Sequence, residues 1–583
     1  MDKKTVSAIL DEIGTLLELQ GENPFRCNAY HSASRAIDQM DDDLALVVAE
    51  KRLATIKGIG ATLQDKIITL VTTGELPFYT DLKPKIPPGM LDMLRLPGMG
   101  PKKIRVLADE LKVTDLVLLK SACEAGTVAA LKGFGAKTQQ KILEGLAFLE
   151  KVGQRVRIDE AMAIAESLRA GIADAPGVEK IELCGSLRRR KETIQDIDLL
   201  VAAHDAGPIM DRFVGLPGVV QIVGRGDTKA SVMVERISGG TQSFMQADLR
   251  VVSPEQFPFA LHYFTGSKEH NVAIRGLAQK AGLKLNEYEL AGAEKSVACK
   301  DEAALFGALG LDFIPPEMRE DTGEVEAAGK HQLPVLIEHS DLRGTFHCHT
   351  NWSDGTGTVQ QMAEAAHALG FKYLGIGDHS QSLTVANGLT PERVKKQHAE
   401  IDAVNAGMKG FKIFKGTECD ILSDGQLDFD DATLATFDYV VASVHSHFNQ
   451  TEAEMTARLL RAVRHPAVRM LGHATGRLLL RRDGYRVDME AVLRAAAECG
   501  TMVEINAHPQ RLDIDWITCK RARSLGVMLV INPDAHSTDG IGLTTFGIDV
   551  ARRAWLTKND VFNTQTAAQV AAVFKAPKKP FAR

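Results

Sequence analysis

The spacing of hydrophobic residues along the chain changes twice. Between Lys3 and Glu50, apolar residues such as Val6, Leu10 and Ile13 recur every three or four positions, which predicts amphipathic helices. Between residues 183 and 252, short apolar runs carry polar residues at alternate positions, which predicts strands. Beyond residue 344, apolar runs of strand length alternate with helical segments. We therefore expect a helical N-terminal region, an α+β middle part and a C-terminal part of βα repeats around a parallel sheet.

The helical region contains three repeats of an apolar residue, a G-x-G triplet and an amphipathic helix. Glycines allow a tight turn and leave the N–H groups at the start of the following helix open to a phosphate. The pattern is typical of helix-hairpin-helix units that bind DNA without regard to its sequence. One repeat equally suits protein packing, and the third equally suits the start of a linker. The glycines are Gly58 and Gly60, Gly98 and Gly100, and Gly133 and Gly135.

Two carboxylates stand side by side in the middle part. Asp196 and Asp198 flank Ile197 within an apolar run, so a strand would direct both to one face. Two like charges raise each other's pKa unless a cation lies between them, which favours a divalent ion such as Mg²⁺. A second strand pattern, residues 243–252, places Asp248 opposite its apolar face. If the strands are neighbours, the three acids can hold two ions about 4 Å apart.

Residues on either side of these acids suit a phosphate-bearing substrate. The Gly185-Ser186 turn offers backbone N–H groups, and Arg189 follows it with a guanidinium fork, so together they suit a triphosphate. A predicted strand pair around residues 224–227 places Lys229 where it would face a bound nucleic-acid backbone. We expect a nucleotide to bind between this turn and the acids.

The C-terminal part has ligand-type residues at the ends of its predicted strands. Repeated βα units in this number predict a barrel of seven strands, with the chemistry at the C-terminal ends. The predicted strands are 345–349, 373–377, 411–415, 439–444, 468–471, 502–505 and 527–531. Nitrogen and carboxylate donors in this mixture suit Zn²⁺, Mn²⁺ or Fe²⁺. The candidate ligands are His347, His349, Asp354, His379, Glu418, His445, His473, Asp534 and His536. Lys415 and Arg477 lie close to them in the sequence, and we expect them to hold phosphate.

Composition limits the possible partners. The 583 residues carry a net charge of -6, which argues against a protein that coats nucleic acid by bulk attraction. The eight cysteines form no C-x-x-C pair, as expected for reduced thiols in a cytosol. The chain shows no apolar run of transmembrane length and no signal segment, so we expect a cytoplasmic protein without a membrane partner.

Four segments of the middle part resemble the family X DNA polymerases, and in particular their bacterial members. They are G-S-L-R-R, D-I-D, D-L-R-V-V and Y-F-T-G-S-K-E-H-N. The resemblance implies that the three acids bind Mg²⁺ or Mn²⁺ and that Asp248 also activates the primer 3'-hydroxyl. It implies nucleotide contacts from Gly185, Ser186, Arg189, Tyr263, Phe264, Gly266 and Asn271, and a template contact from Arg275. Arg190 and Gln195 depart from the family, because glycine is expected at both positions.

The two ends of the chain resemble further parts of these enzymes. The nine C-terminal ligands resemble those of the PHP domain, which implies three metals in a seven-stranded barrel that hydrolyses phosphodiesters. Lys66 occupies the position of the family's Schiff-base lysine, and Arg26 and Tyr30 match parts of its 5'-phosphate pocket. A solvated helix lysine is an equally good interpretation of Lys66. Histidine or lysine is expected at three further positions of this pocket. The residues there are Phe25, Ala54 and Thr62.

The resemblance covers nearly the whole chain and implies six segments. These are a lyase-like helical domain (1–80), a helix-hairpin-helix domain (81–150), a nucleotidyltransferase palm (151–260), a nucleotide- and template-contacting subdomain (261–312), a linker (313–338) and a PHP domain (339–575). The implied function is short-gap filling on gapped or nicked DNA with dNTPs, by a monomer. The resemblance also implies 3'-5' exonuclease activity of the PHP domain, and it further implies an abasic-site endonuclease activity. Two alternatives stay open, namely a PHP nuclease with an inactive polymerase core and a non-catalytic scaffold that binds DNA ends.

Overall fold

The computed structural model describes residues 3–39, 44–56, 59–94, 96, 99–152, 155–238, 241–292 and 296–581. The chain forms two compact units, Met1–Gln154 and Arg155–Arg583. Within the described residues, no helix combines the length and apolar character needed to cross a membrane. Two of the predicted hairpin glycines, Gly58 and Gly98, lie outside the described residues.

The first unit is helical, as the three- and four-residue apolar period predicts. Val6, Leu10 and Ile13 are fully buried where α1 packs on α2. Gly60 and Gly100 directly precede α4 and α7 in extended conformation. The helices are α1 (Lys3–Gln20), α2 (Pro24–Gln39), α3 (Leu44–Ala49), α4 (Ala61–Thr73), α5 (Pro77–Leu82), α6 (Pro88–Met93), α7 (Pro101–Leu111), α8 (Leu116–Glu124), α9 (Thr127–Ala130) and α10 (Gly135–Val152).

The second unit begins with a five-stranded sheet in the order β2-β4-β7-β6-β5. Strands β4 and β7 pair in parallel, and the other pairs are antiparallel. The alternation predicted for β4 is present, because Ile197, Leu199 and Val201 are buried in the core. The elements are β1 (Val156–Arg157), α11 (Ile158–Ile172), β2 (Lys180–Leu183), α12 (Gly185–Arg188), β3 (Thr193–Ile194), β4 (Asp196–Ala202), α13 (Gly207–Val214), β5 (Val219–Arg225), β6 (Lys229–Ser238) and β7 (Thr241–Val252).

A smaller helical and β-hairpin region follows this sheet. Its elements are α14 (Phe257–Thr265), α15 (Lys268–Lys280), β8 (Lys284–Leu285), β9 (Leu290–Ala291), β10 (Ser296–Val297), α16 (Glu302–Ala308) and α17 (Glu324–Gly329). Residues 313–338, which the sequence suggests as a linker over the surface, are instead packed into the unit. Ile314, Met318 and Ile337 are buried, and the fully buried Arg319 pairs with Glu302 at 2.6 Å. The apolar residues of the segment explain this packing.

The C-terminal part alternates strands and helices around two parallel sheets. The sheet orders are β11-β12-β13 and β14-β15-β16-β17-β18. The elements are β11 (Gly344–Cys348), α18 (Val359–Ala368), β12 (Tyr373–Ile376), α19 (Pro391–Gly407), β13 (Lys412–Phe414), β14 (Gly416–Asp420), α20 (Asp431–Leu434), β15 (Tyr439–Ser443), α21 (Glu452–Arg464), β16 (Val468–Leu471), α22 (Met489–Cys499), β17 (Met502–Asn506), α23 (Trp516–Leu525), β18 (Leu529–Asn532), α24 (Thr544–Arg553) and α25 (Ala567–Lys575).

The seven predicted strands are all present, and an eighth, β14, follows directly on β13. Two isolated parallel bridges, Cys348 to Ala535 and His379 to Glu418, connect the two sheets. Because no continuous ladder closes the ring in the described residues, the seven-stranded barrel stays a prediction. Buried aromatic rings fill the interior between the sheets, where Phe346 packs against Tyr373 and Tyr439.

Candidate metal centres

The first candidate centre lies where β4 and β7 run side by side. The parallel register places Asp198 directly opposite Asp248, and Asp196 lies two positions before Asp198 on the same face. The ammonium group of Lys229 lies 2.9 Å from a carboxylate oxygen of Asp248. Gln246 donates a second hydrogen bond to the same carboxylate, at 2.9 Å. The three predicted acids therefore meet, and Lys229, predicted to face a nucleic-acid backbone, is paired with one of them.

The electrostatics of this cluster favour a bound cation. Burial, reinforced by the charges of Asp196 and Asp248, raises the pKa of Asp198 to about 7. Burial and the charge of Asp248 also raise the pKa of Asp196. Burial alone would raise the pKa of Asp248. Hydrogen bonds to its carboxylate, of which the one from Lys229 has the largest effect, outweigh burial and lower this pKa. A divalent ion among the three acids would relieve the repulsion that adds to burial in raising the pKa values of Asp196 and Asp198.

The Gly-Ser turn packs directly against this cluster. Gly185 has φ +60°, and a Cβ atom there would lie 2.2 Å from a carboxylate oxygen of Asp198. Only glycine fits this conformation at this distance. The N–H of Cys184 donates to the main-chain oxygen of Asp198 at 2.8 Å, which fixes the turn to β4. Ser186 follows in the short helix α12, so the predicted phosphate-binding turn and the acids form one site.

Arg189, the predicted triphosphate contact, is engaged inside the protein. Its Nε lies 3.1 Å from Glu320, and its Nη1 donates to the main-chain oxygen of Thr265 at 2.5 Å. Gly266 has φ +68°, and a Cβ atom there would lie 2.9 Å from Arg189 Nη1. The junction between α14 and α15 therefore closes around this arginine.

The other predicted nucleotide contacts lie on the same two helices. The rings of Tyr263 and Phe264 meet edge to face, with centroids 5.1 Å apart. Asn271 donates to the main-chain oxygen of Tyr263 at 2.7 Å, and its buried side-chain oxygen has no partner. Arg275 donates to the main-chain oxygen of Asn271 at 3.3 Å. The structure thus groups these residues beside Arg189 and leaves one polar atom of Asn271 unpaired.

The second candidate centre gathers all nine predicted ligands of the C-terminal part. Glu418, from β14, lies at its middle and is almost fully buried. Burial opposes its charge, but facing histidines, first among them His347, lower its pKa well below the ordinary value. Its carboxylate oxygens lie 2.8 to 3.7 Å from ring nitrogens of His347, His349, His379, His445 and His473. A carboxylate surrounded in this way is suited to bridge more than one metal ion.

Four overlapping groups of side chains can each enclose a metal ion. Their possible ligand atoms lie within 4.8 Å of one another. The groups are His349, Asp354, His379 and His536; His347, His349 and Asp534; His347, Glu418 and His473; and His379, Glu418 and His445. Several of these buried nitrogens, including both of His349, have no hydrogen-bond partner. Buried nitrogens that face one another without hydrogen-bond partners are suited to bind a metal ion.

The backbone is strained at three of these ligands. His347, His473 and Asp534 have φ values of +55°, +22° and +52°. Residues other than glycine rarely adopt positive φ, and each such residue costs about 1 to 3 kcal/mol of folding free energy. The strain is concentrated at strand ends, where it aims the three side chains into the centre.

Acids that the sequence analysis did not single out hold the ligands in place. Glu504, fully buried on β17, accepts hydrogen bonds from His347 Nδ1 at 2.6 Å and from the N–H of His473 at 3.0 Å. Asp420 forms the corresponding hydrogen bond with His445 Nδ1. Such partners fix the tautomer of a ligating histidine and raise its basicity. One feature of the sequence could have indicated Glu504, because it is the lone acid within an apolar strand.

Lys415 and Arg477, which the sequence analysis expects to hold phosphate, are both paired with protein groups in the structure. Lys415 pairs with Asp402 at 2.7 Å and precedes β14, at the strand end away from the ligands. Arg477 pairs with Glu192 at 2.7 Å and donates to the main-chain oxygen of Arg511 at 3.0 Å. Both cations are satisfied by protein groups, which proximity in sequence could not reveal.

Lys66 lies in an apolar setting within the first unit. Its ammonium group lies 3.2 Å from the ring centroid of Phe78 and donates to the hydroxyl of Tyr30. Burial, with a smaller contribution from Arg26, lowers its pKa from 10.5 to about 8. Lys66 thus lies against the rings of Tyr30 and Phe78, and not in open solvent.

Four family models match successive parts of the chain. The sequence model of the PHP domain matches residues 345–508, and that of the DNA polymerase beta thumb matches residues 260–320. The helix-hairpin-helix domain matches residues 1–76, and the SAM-like helix-hairpin-helix tandem matches residues 90–147. The DNA polymerase/3'-5' exonuclease PolX of Bacillus subtilis (strain 168) is 38% identical over 577 residues, 99% of this chain and 100% of that protein.

The chain belongs to the bacterial family X DNA polymerases with a PHP domain. Two further relatives of this family X polymerase each match one part of it. DNA polymerase lambda of Rattus norvegicus is 24% identical over 336 residues, which cover 53% of this chain and 55% of that protein. A probable phosphatase of Thermoanaerobacter sp. (strain X514) is 26% identical over 240 residues, which cover 40% of this chain and 90% of that protein.

The comparisons confirm the predicted architecture of this family X polymerase. Helix-hairpin-helix units precede a polymerase part, and a PHP domain follows it. Asp534 and His536 lie beyond the matched PHP residues, and the structure is what brings them to the other ligands.

Proposed function

We propose that the chain is a DNA repair polymerase that fills short gaps and trims 3' ends with its PHP domain. The observation that carries the proposal is the completeness of both centres in one chain. Asp196, Asp198 and Asp248 converge at the palm, and nine ligand residues converge in the PHP domain. Family membership supports both activities.

At the palm centre, the three carboxylates would hold Mg²⁺ or Mn²⁺. Bound there, the ions supply activation of the primer 3'-hydroxyl and stabilisation of the leaving pyrophosphate. Asp248 must exchange its partner Lys229 for an ion, and its lowered pKa keeps it charged for this role. The N–H groups of Gly185 and Ser186 and the guanidinium of Arg189 would then bind the triphosphate.

The other palm contacts follow the geometry of α14 and α15. Tyr263 and Phe264 would lie against the sugar, and Asn271, whose buried side-chain oxygen has no protein partner, would face the nascent base pair. Arg275, held beside Asn271, would contact the template. Gly266 is required for its positive φ and for its close approach to Arg189.

At the PHP centre, the nine ligands would hold three divalent ions. The mixture of imidazole and carboxylate donors suits Zn²⁺, Mn²⁺ or Fe²⁺. Such ions supply an activated water and stabilise the phosphoryl oxygens of a phosphodiester. Glu418 bridges the ligand groups, while Glu504 and Asp420 hold the histidines in the tautomers that bind metal.

One gel tests the two activities. A labelled primer in a short gapped duplex is incubated with Mg²⁺ or Mn²⁺, with and without dNTPs. We expect the wild-type chain to lengthen the primer with dNTPs and to shorten it without them. Asp198→Ala should only shorten it, and His349→Ala should only lengthen it.

Other outcomes of this gel decide between the alternatives. Absence of lengthening by the wild-type chain with either metal would favour a PHP nuclease with an inactive polymerase core. If neither activity is seen and the purified protein contains almost no metal, a scaffold that binds DNA ends is favoured. Comparison of gapped, nicked and blunt substrates then tests the proposed preference for gaps and nicks, and sedimentation tests the proposed monomer.

Contacts with DNA are proposed for the hairpin turns of the first unit. A Cβ atom at Gly60, Gly100, Gly133 or Gly135 would meet nothing within 4 Å, so a phosphate backbone can approach each turn. Gly58 and Gly98 complete the first two turns in the sequence. Valine at Gly60 and Gly100 should weaken DNA binding about equally for all sequences and reduce its salt dependence.

A lyase activity is proposed for Lys66, because burial lowers its pKa to about 8. The neutral amine, which is the nucleophile, increases as the pH rises through this value. Because the lysine pKa is about 8, borohydride trapping on DNA with a 5'-deoxyribose phosphate should increase from pH 6.5 to a plateau above about pH 8.5. Lys66→Ala should abolish trapping, and the matched exposed lysine change Lys51→Ala should not. Trapping that survives Lys66→Ala would assign the reaction elsewhere.

Abasic-site incision is a separate proposal for the PHP centre. Hydrolysis at an intact abasic site would leave a 3'-hydroxyl end, whereas elimination at Lys66 would leave an unsaturated sugar. The two products migrate differently on a sequencing gel. His349→Ala should remove only the first product, and Lys66→Ala only the second.

A further inference from the structure

The PHP domain contacts the nucleotide-binding loop of the palm, residues 185–192, through three charged side chains. Arg553 of α24 donates to the main-chain oxygen of Arg189 at 2.5 Å. Asp549 of the same helix lies 3.7 Å from Arg190. Arg477 pairs with Glu192 at 2.7 Å. All these residues belong to one compact unit.

Glu320 connects Arg189 and Arg553. One of its carboxylate oxygens lies 3.1 Å from Arg189 Nε and 3.2 Å from Arg553 Nη1. Burial opposes the charge of Glu320, but Arg553 and then Arg189 lower its pKa. Arg553 is itself 2% exposed, so its guanidinium cannot turn to water instead. A buried carboxylate with two cations can release one and remain paired, whereas a carboxylate with one cation cannot.

This sharing matters because Arg189 is the arginine assigned to the triphosphate. To reach a nucleotide, its guanidinium must leave Glu320. We propose that Arg553 is a positioning residue for nucleotidyl transfer: it holds the main chain of Arg189 and keeps Glu320 paired, which frees the Arg189 guanidinium for the triphosphate. The proposal rests on the nucleotide site described under Proposed function.

Arg190 provides a second anchor for the same loop. It adopts φ +57° at a position where family X polymerases are expected to have glycine. A side chain in this conformation is strained, so a compensating contact is needed. The guanidinium of Arg190 reaches Asp549, and its Nη1 lies 3.8 Å from the sulfur of Met162. The strained arginine thus links the loop to α24, the helix that carries Arg553.

The test measures KM for dNTP and kcat of primer extension in the full chain. Without Arg553, Glu320 would retain Arg189, so Arg553→Ala should raise KM for dNTP about tenfold, the scale of one charged hydrogen bond. Arg553→Lys should restore part of the affinity. Arg552→Ala is the matched control, since this neighbour pairs instead with Glu317 and the main-chain oxygen of Ile337.

A second change separates positioning from simple structural support. Glu320→Gln removes the charge that retains Arg189, so the double variant Arg553→Ala, Glu320→Gln should regain a KM within about twofold of wild type. If Arg553 only supported the fold, removing a further ion pair would make the defect worse. Exonuclease activity of each variant, which uses the distant metal ligands, reports that the unit is folded.

Three results would overturn the proposal. The first is an unchanged KM for dNTP in Arg553→Ala, and the second is a raised KM that Glu320→Gln does not lower. The third concerns the underlying site: if Arg189→Ala leaves KM for dNTP unchanged, the nucleotide assignment is wrong as well. A large KM effect of Arg189→Ala together with none of Arg553→Ala would refute the positioning role alone.

Discussion

Replacing Glu504 by glutamine should weaken metal binding at the PHP centre without touching a ligand. Glu504 is fully buried and accepts four hydrogen bonds. The donors are His347 Nδ1 at 2.6 Å, the N–H of His473 at 3.0 Å, and the side-chain amides of Asn506 at 2.9 Å and Asn532 at 2.8 Å. A glutamine has one oxygen and one NH₂ group, so either orientation places the NH₂ against two donors.

The size of the effect follows from this arrangement. Loss of an outer hydrogen-bond partner of a metal-binding histidine typically costs 10- to 100-fold in metal affinity, or about 1.4 to 2.8 kcal/mol. Because Glu504 holds two ligands at once, and because the change leaves buried donors unpaired, we expect the upper part of this range. His347 should be affected most, since the charge of Glu504 is the first of the acids that raise its pKa against burial.

The assay is exonuclease rate as a function of Mn²⁺ concentration. Glu504→Gln should shift half-saturation to higher Mn²⁺ and recover most of its rate when saturated. Primer extension in the same sample shows that the palm is intact. Asp438→Asn is the control, because this carboxylate accepts the N–H of Lys415 at 2.8 Å and precedes β15, at the strand end away from the metal ligands. An unchanged half-saturation in Glu504→Gln would refute the supporting role.

Three further predictions concern the two centres and the core between the sheets. Gly185→Ala should abolish primer extension and spare the exonuclease, because its Cβ would lie 2.2 Å from a carboxylate oxygen of Asp198; extension at the wild-type rate would contradict this. Phe346→Ala should lower the free energy of unfolding by about 3 to 5 kcal/mol in chemical denaturation, because the ring is fully buried among other aromatic rings. Mn²⁺ at about 100 times its Kd should stabilise the second unit by about 2.7 kcal/mol in thermal unfolding, and less in His349→Ala.

Much of the palm centre could be predicted because it depends on local alternation. The two-residue period of β4 decides that Asp196 and Asp198 share a face, whatever the rest of the chain does. The pairing of β4 with β7 was conditional, and the structure supplies it through a parallel register that places Asp198 opposite Asp248. The ion pair between Arg189 and Glu320 could not be predicted, because it depends on where residues 313–338 pack.

The PHP centre was predictable to a similar depth. Seven of its nine ligands follow strand ends, which are visible in the sequence as the points where apolar runs stop, while His347 and Glu418 lie within β11 and β14. The outer shell was not predicted, because Glu504 lies inside a strand and its role depends on which histidine it faces. The sequence predicts one strand at residues 411–415. The structure has β13 there and a further strand, β14, directly after it, separated from β13 by Lys415.

The contacts between the PHP domain and the palm loop are the part that no pattern could indicate. Arg553 is 364 residues from Arg189 along the chain, and Arg477 is 285 residues from Glu192. Hydrophobic periodicity predicts the local structure of neighbouring residues, and it does not predict contacts between residues this far apart in the sequence. The departure at Arg190 was nevertheless a local sign. A non-glycine residue with positive φ requires a compensating contact, and here that contact leads to Asp549 and the helix of Arg553. Positions where a chain departs from its family pattern are therefore where contacts specific to that chain should be sought.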